Sequence, residues 1–283
     1  LDYWLYMNDM EEEQLVEIAQ AAETAGFRGV AVADHIAVPV DFDATAHPSG
    51  QAPFDHRTSF PDPLITAATL LASTERLEVM SYVYVLPMRE PFSVAKQVST
   101  LARFSGGRFR FGVGAGWMLE EIELIGYSVA RRGRRMDEML EVMRAFWDRE
   151  SVEYHGEFFD FEPAGMAPRP EHPVPVWVGG KSPAALARAA TQDGWLGMNY
   201  ALEECHSLLE ELRGIRAESP PNPAFRTFVI PNAASTPELY ADLEERGVTD
   251  TMGFAFDAGD PAFDALDAKR AAISAFADTF IPR

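Results

Sequence analysis

The sequence predicts a single (β/α)8 barrel, an α/β fold filling one domain over residues 1–283, and three observations carry that reading. Strand-like and helix-like patterns alternate eight times along the chain. Composition shows no break of the kind that marks a linker between domains. The Gly-rich fingerprint that a doubly wound dinucleotide-binding sheet carries after its first strand is absent, which leaves that architecture as the alternative. With 283 residues, 47% of them hydrophobic and 24% charged, the chain is long enough for one large core and too apolar for disorder.

The elements follow in order. Tyr3 to Met7 reads as a short strand, and Glu11 to Thr24 as a helix with Leu15, Ile18, Ala19 and Ala22 on one face, closed by Gly26. Val30 to Ala33 is a second strand ending in Asp34-His35, and the next helix begins near Pro63. Between them, Val38 to Asp62 exceeds the ~12–15 residues usual for a structureless loop, so it reads as a substrate-covering segment carrying His47, His56, Phe42, Phe54 and Phe60. A third strand runs from Leu77 to Leu86, followed by a helix from Phe92 to Phe104 and a fourth strand from Phe109 to Gly114. Glu138 to Trp147 has helical apolar spacing, and Tyr154 to Pro173 reads as an irregular excursion before the fifth strand. That strand, Pro175 to Gly180, leads into a helix over Ala184 to Ala190 with Ser182 as N-cap and Pro183 in the first turn. Strands at Trp195 to Met198, Arg226 to Ile230 and Thr251 to Phe256 alternate with helices at Glu203 to Ala217, Pro237 to Arg246 and Phe263 to Phe280.

Charge and cysteine content exclude several partners. With 24 basic against 44 acidic residues the formal charge is −20, which disfavours nucleic acid and anionic membrane surfaces. No apolar run approaches the ~18 residues of a membrane span. The first residues lack a basic region and a cleavage site, although residue 1 is not Met, so a leader ahead of this numbering stays open. The one cysteine, Cys205, has no partner for a disulfide, no metal cluster is evident, and a buried inert thiol in a reducing, cytoplasmic setting is the expectation.

A barrel of this kind places chemistry at the carboxyl ends of its strands. Asn8, Asp34-His35, Ser81 to Val83, Gly112 to Trp117, Gly179-Gly180 and Met198-Asn199 therefore converge. Gly112, Gly114 and Gly116 leave no side chain where the fourth strand ends, so something approaches that backbone, whether a ligand or the bend of the strand into its loop. Gly179-Gly180-Lys181-Ser182 ahead of a helix offers bare amides to one phosphate, or is an ordinary turn capped by a serine. His35 is the candidate acid–base group because histidine titrates near neutral pH, with Asp34 orienting its ring or touching a coenzyme; an Asp-His pair is also common as structure. Glu120 and Glu121 read as exposed helical residues, and Arg132, Arg135 and Glu138 as a helix-start charge network with Arg135 beside Glu138.

The ordered set Ala33-Asp-His-Ile36, Val85-Leu-Pro-Met-Arg-Glu-Pro91, Ser105-Gly-Gly-Arg108, Gly112-Val-Gly-Ala-Gly-Trp117, Arg132-Gly-Arg-Arg135, Pro175-Val-Trp-Val-Gly-Gly-Lys-Ser-Pro183 and Asp193-Gly-Trp195 is similar to the bacterial luciferase-like monooxygenase superfamily. More narrowly it resembles that superfamily's actinobacterial deazaflavin (coenzyme F-420)-dependent oxidoreductases, over residues 1 to 217. The resemblance implies a TIM barrel that binds F-420, or alternatively FMN, at the strand ends. It implies phosphate contacts from Gly179, Gly180 and Ser182, a wall from Gly114, Ala115, Gly116 and Trp117, and a cis-peptide bulge at Ser81, Tyr82 and Val83 behind the ring. Catalysis then falls to His35 and Asp34. Trp117 stands where deazaflavin-linked sugar-phosphate dehydrogenases carry a glutamate, and an indole cannot exchange that proton, which argues against sugar-phosphate oxidation. The implied reaction is hydride transfer to or from a small organic substrate. A reduced-FMN monooxygenase, or a non-catalytic carrier on the same barrel, are the alternatives, and a homodimer is the assembly the family implies.

Overall fold

The expected alternation folds as a closed parallel barrel in a computed structural model that describes residues 1–8 and 10–282. In chain order the elements are β1 (Asp2–Tyr6), α1 (Leu15–Ala25), β2 (Gly29–Val32), α2 (Pro63–Ala72), β3 (Glu78–Ser81), β4 (Tyr84–Val85), α3 (Pro91–Phe104) and β5 (Phe109–Gly114). There follow α4 (Leu119–Leu124), α5 (Arg132–Asp148), the pair β6 (Val152–His155) and β7 (Asp160–Ala164), β8 (Val176–Gly179), α6 (Pro183–Ala190) and β9 (Gly194–Tyr200). The chain closes with α7 (Leu202–Ala217), β10 (Arg226–Pro231), α8 (Pro237–Glu245), β11 (Asp250–Gly253) and α9 (Leu266–Phe280). The strands run β3-β2-β1-β11-β10-β9-β8-β5, and β3 pairs back onto β5 to shut the ring.

Local chemistry sets the boundaries. Four helices, α2, α3, α6 and α8, start on a proline whose missing N–H costs nothing there, and the residue before each accepts backbone amides: Asp62, Glu90, Ser182 and Thr236. Gly26 stops α1 in the left-handed region at φ 90°.

Two cores hold the walls together. Inside the ring, Trp4, Met80, Trp177, Leu196, Phe228 and Met252 fill the barrel axis, so it is packed and not a channel. Outside it, the strands' opposite faces bury against α1, α3, α5 and α9 through residues such as Val30, Phe109, Met139 and Ile273. The amino-terminal end of the barrel is sealed by charge: Arg226 pairs with Asp250, Arg28 with Glu78 and Asp2, and Trp4 Nε1 donates to Asp250 Oδ1 at 2.9 Å. Chemistry is left to the other end.

The structure departs from expectation in two places. Tyr154 to Pro173 is not wholly irregular, because Val152–His155 and Asp160–Ala164 pair antiparallel and pack Tyr154 and Phe161 against Phe146. The short helix α4 carries too few residues to show a helical period in the sequence. Cys205 is buried as expected, and burial pushes its thiol up to about 11.

Candidate active site

The site is built where β3 breaks. From Met80↔Arg110 to Tyr84↔Val113, the third strand advances four residues against three on β5, so one extra residue bulges between them. The Tyr82–Val83 peptide in that bulge is cis, as the resemblance implied. Ser81 Oγ donates to Gly112 O at 2.8 Å, and Tyr82 OH donates to Gly197 O at 3.0 Å across the barrel.

The glycines of β5 and β8 answer this bulge. A Cβ on Gly114 would lie 2.7 Å from Val83 Cγ2, one on Gly179 would lie 2.9 Å from Val83 Cγ1, and one on Gly112 would strike the carbonyl of Ser81. What approaches the glycine backbone is therefore the third strand itself. The exposed face of Val83 then becomes the floor of a cavity of about 450 Å³. That volume lies within the range of small-molecule and cofactor sites.

At one end of the cavity Gly179 to Ser182 meet the first turn of α6. Ser182 Oγ accepts the Ala185 amide at 3.2 Å, and Gly180, at φ 122°, turns its carbonyl to the Trp195 indole N–H at 2.8 Å. Arg132, Lys181 and Arg188 stand around the same end. Arg132 donates from Nε to Gly116 O at 3.2 Å, Lys181 pairs with Glu204 at 2.7 Å, and Arg188 pairs with Asp137. The helix dipole, the amides and Arg132, which bonds only backbone carbonyls among the described residues, make this end electropositive, while Lys181 and Arg188 are each offset by a carboxylate.

At the other end the Val38 to Asp62 segment folds over the mouth. Phe54 and Phe60 approach the His35 ring at 4.9 and 4.7 Å, and His47 approaches Trp117 at 5.0 Å. Trp117 stands 6.1 Å from His35 with the ring planes at 84°, a flat wall beside the candidate acid–base group. Burial, and then the neighbouring His35, lower His47 to about 4, so it is neutral at physiological pH. His56 is exposed and outside the cavity.

His35 and Asp34 are split in role. His35 Nδ1 lies 2.7 Å from Glu121 Oε2, and the same carboxylate accepts Ile36 N at 2.6 Å and Ala37 N at 3.0 Å through Oε1. Asp34 turns the other way. Its oxygens take Arg89 at 2.6 and 2.7 Å and the Val85 amide at 2.8 Å. Burial outweighs the Arg89 guanidinium and holds the Asp34 carboxyl above its ordinary value, while Asp34 outweighs burial at Arg89 and holds that group above its own. Asp34 thus pins the strand leaving the bulge and does not orient the His35 ring.

The closed barrel thus carries a bulge in its third strand and a histidine three residues beyond its second. The luciferase-like monooxygenase profile matches residues 6–275. The chain belongs to that family. This luciferase-like protein is an oxidoreductase of that class. It is 36% identical over 239 residues to an uncharacterized protein of Mycobacterium tuberculosis, covering 84% of this chain and 83% of that one. An F-420-dependent glucose-6-phosphate dehydrogenase of Gordonia bronchialis is 31% identical over 190 residues, 65% of this chain and 52% of its own. An FMNH(2)-dependent dimethylsulfone monooxygenase of Pseudomonas putida is 31% identical over 150 residues, 51% of this chain and 41% of its own. The fold superposes on the coenzyme F-420-dependent tetrahydromethanopterin reductase of Methanopyrus kandleri with TM-score 0.76 at 13% identity, covering 100% and 99% of the two chains.

The luciferase-like site gathers His35, Asp34, Tyr82, Val83, Gly114, Ala115, Gly116, Trp117, Gly179, Gly180 and Ser182 around one cavity, with Ser81 behind it. Three expectations are corrected. Glu121 is 1% exposed, not a solvated helix residue, because its side chain turns inward onto His35. Arg135 does not pair with Glu138: it donates to the carbonyls of Pro87 and Arg89, and Glu138 accepts the amides of Glu157, Phe158 and Phe159. Arg132, taken as structural, lines the cavity. Sequence reasoning also missed Arg188. The signal available was its place on the helix that follows the Gly179-Gly180 turn.

Proposed function

We propose that this protein transfers a hydride between the deazaflavin F-420 and a small organic substrate, with His35 exchanging the substrate proton. The carrying observation is the arrangement of His35: Nδ1 is engaged by Glu121, and Nε2 makes no hydrogen bond among the described residues while the ring borders the cavity. The residues present fit such a group. A floor of Val83, glycines too close to it to bear side chains, and an electropositive end for a phosphate accommodate a planar ring with a phosphorylated chain. When bound, the deazaflavin supplies a two-electron hydride acceptor or donor that does not readily activate oxygen.

For an alcohol substrate, His35 Nε2 would take the O–H proton, while a bound deazaflavin would supply the acceptor for the hydride lost from the same carbon, leaving a carbonyl. The reverse direction returns both. Asp34, held by Arg89 and Val85, supports the bulge, so its part is positional. Trp117, Phe54 and Phe60 exclude water and favour an apolar substrate face, which agrees with the missing glutamate at Trp117 and turns the reading away from sugar phosphates. The reduced-FMN reading is supported by the Pseudomonas relative.

The test is an oxygen-free screen of small alcohols, aldehydes and ketones for protein-dependent change in deazaflavin absorbance, repeated with His35→Ala. Turnover should fall by about two orders of magnitude or more, the usual contribution of a general acid–base, with coenzyme affinity little changed. Unchanged turnover in His35→Ala removes the histidine from the chemistry.

A further inference from the structure

We infer that Glu121 is a positioning residue that fixes the tautomer of His35 and, through the same carboxylate, anchors the loop that covers the site. The inference deepens the proton-exchange reading above and rests on it for its catalytic consequence, though not for its geometry.

Glu121 lies in the first turn of α4, shortly after the Gly114-to-Trp117 wall, and its side chain is 1% exposed. Both its oxygens are committed. Oε1 receives two backbone N–H groups, from Ile36 at 2.6 Å and Ala37 at 3.0 Å. An acceptor of two amides is suited to a carboxylate and poorly suited to a carboxylic acid. Oε2 then faces His35 Nδ1 at 2.7 Å as a pure acceptor, so the shared proton sits on Nδ1. In a neutral imidazole only one nitrogen carries hydrogen, which leaves Nε2 as a lone-pair acceptor at the cavity. The arrangement converts His35 from an ambiguous ring into one ready to take a proton, and places an anion behind the imidazolium that forms.

The anchoring follows from the same contacts. Ile36 and Ala37 are the first residues beyond His35 toward the Val38 to Asp62 segment, and Glu120, next in α4, accepts the Asp43 amide at 3.1 Å. Adjacent carboxylates on one short helix therefore hold the near end of the cover at three amides, while Phe54 and Phe60 close over the ring. Asp34 cannot share this work, since Arg89 and Val85 occupy its oxygens. Among the described residues His47 is a further ionisable group near the ring, and it packs against Trp117 at 5.0 Å.

Glu121→Gln isolates the tautomer from the anchor. The two amides demand that the carboxamide oxygen stay on their side, which turns its NH2 toward His35. Nδ1 must then accept, and the ring proton moves to Nε2. Glu121→Ala removes both functions. The measurement is the 15N chemical shift pair of His35 in the full chain, without coenzyme, on the alkaline plateau of a pH series, where the shifts no longer change and the ring carries a single proton. The unmodified protein should show Nδ1–H and Glu121→Gln should show Nε2–H, with Ile36 and Ala37 amide exchange unchanged in Glu121→Gln and about tenfold or more faster in Glu121→Ala. In turnover, Glu121→Gln should lower kcat with KM held. An Nε2–H ring in the unmodified protein, which needs no variant to fold, overturns the inference, as does an Nδ1–H ring in Glu121→Gln. A tautomer that switches while kcat stays unchanged upholds the positioning and refutes the proton-exchange role of His35.

Discussion

Gly114 and Val83 are locked together by contact: a single methyl added to the glycine would come within 2.7 Å of Val83 Cγ2. The absent side chains of β5 and β8 are the mould of the bulge in β3, and the bulge is the floor of the site. Fold and function meet at this pair.

Replacing these glycines should separate two effects. In Gly114→Ala the obstacle is a side chain that can shift, so we expect about 1–3 kcal/mol of overpacking together with loss of coenzyme binding as Val83 is pushed into the cavity. In Gly112→Ala the obstacle is the Ser81 carbonyl, which cannot move without the strand. Denaturant unfolding should therefore rank Gly112→Ala as the less stable variant. Equal stability with unimpaired coenzyme binding would mean that the bulge does not depend on the glycines.

Asp34 and Arg89 form a buried bidentate pair, with side chains 1% and 15% exposed. Asp34→Asn should lose about 3–5 kcal/mol by leaving the guanidinium uncompensated. Adding Arg89→Met should return part of that loss, since an apolar replacement removes the stranded charge. A single variant as stable as the parent would show that the pair does not hold the strand leaving the bulge.

The lid should respond to acid through His47. Its folded value near 4 lies below the ordinary 6.5 because burial and His35 disfavour the charged ring. Between those values the unfolded or opened segment binds the proton and the closed one does not, so stability is complete above about pH 6.5 and declines as pH falls toward 4. Solvent reaching the ring keeps the effect small. Amide exchange in the Val38 to Asp62 segment should accelerate over that window in the parent, and His47→Gln should flatten the dependence. A parent profile that is flat from pH 7 to about 4 contradicts the assignment.

Ser182 caps α6 through the Ala185 amide, and its hydroxyl faces the electropositive end of the cavity. Ser182→Ala should cost about 1 kcal/mol of stability as a lost cap. If a phosphate also rests there, coenzyme affinity should weaken about tenfold, the equivalent of 1.4 kcal/mol, with a smaller loss for an analogue lacking the phosphate. Equal losses for both ligands would leave the serine as a cap alone.

Much of this was legible because barrel elements are punctuated locally. Asp62-Pro63 and Ser182-Pro183 mark helix starts, Gly26 marks a stop, and the apolar alternation of Phe109, Phe111 and Val113 marks a strand. The His35 end of β2 and the Gly179-Gly180 turn followed from the rule that strand ends converge. Glu121 did not, because a carboxylate four residues after Trp117 reads as a solvated helix face unless one knows that the loop after β2 folds back onto it. The contact spans 86 residues, and no periodicity records it. Arg132 was hidden the same way, its guanidinium meeting the Gly116 carbonyl across a 16-residue stretch that includes α4. The hairpin at Val152–His155 and Asp160–Ala164 was missed because the prolines and glycines around it outweigh its short alternation.

We propose that the Val83 floor, the Gly179-to-Ser182 turn and the Nε2 of His35, unbonded among the described residues, serve a deazaflavin in hydride transfer. Equilibrium titration of the purified chain with F-420 and, separately, with FMN tests it most directly, with His35→Ala and Gly114→Val in parallel. F-420 should bind at least about tenfold more tightly than FMN, a difference of about 1.4 kcal/mol. His35→Ala should leave this affinity intact and Gly114→Val should abolish it. Tighter binding of FMN, or F-420 binding that survives Gly114→Val, would contradict it.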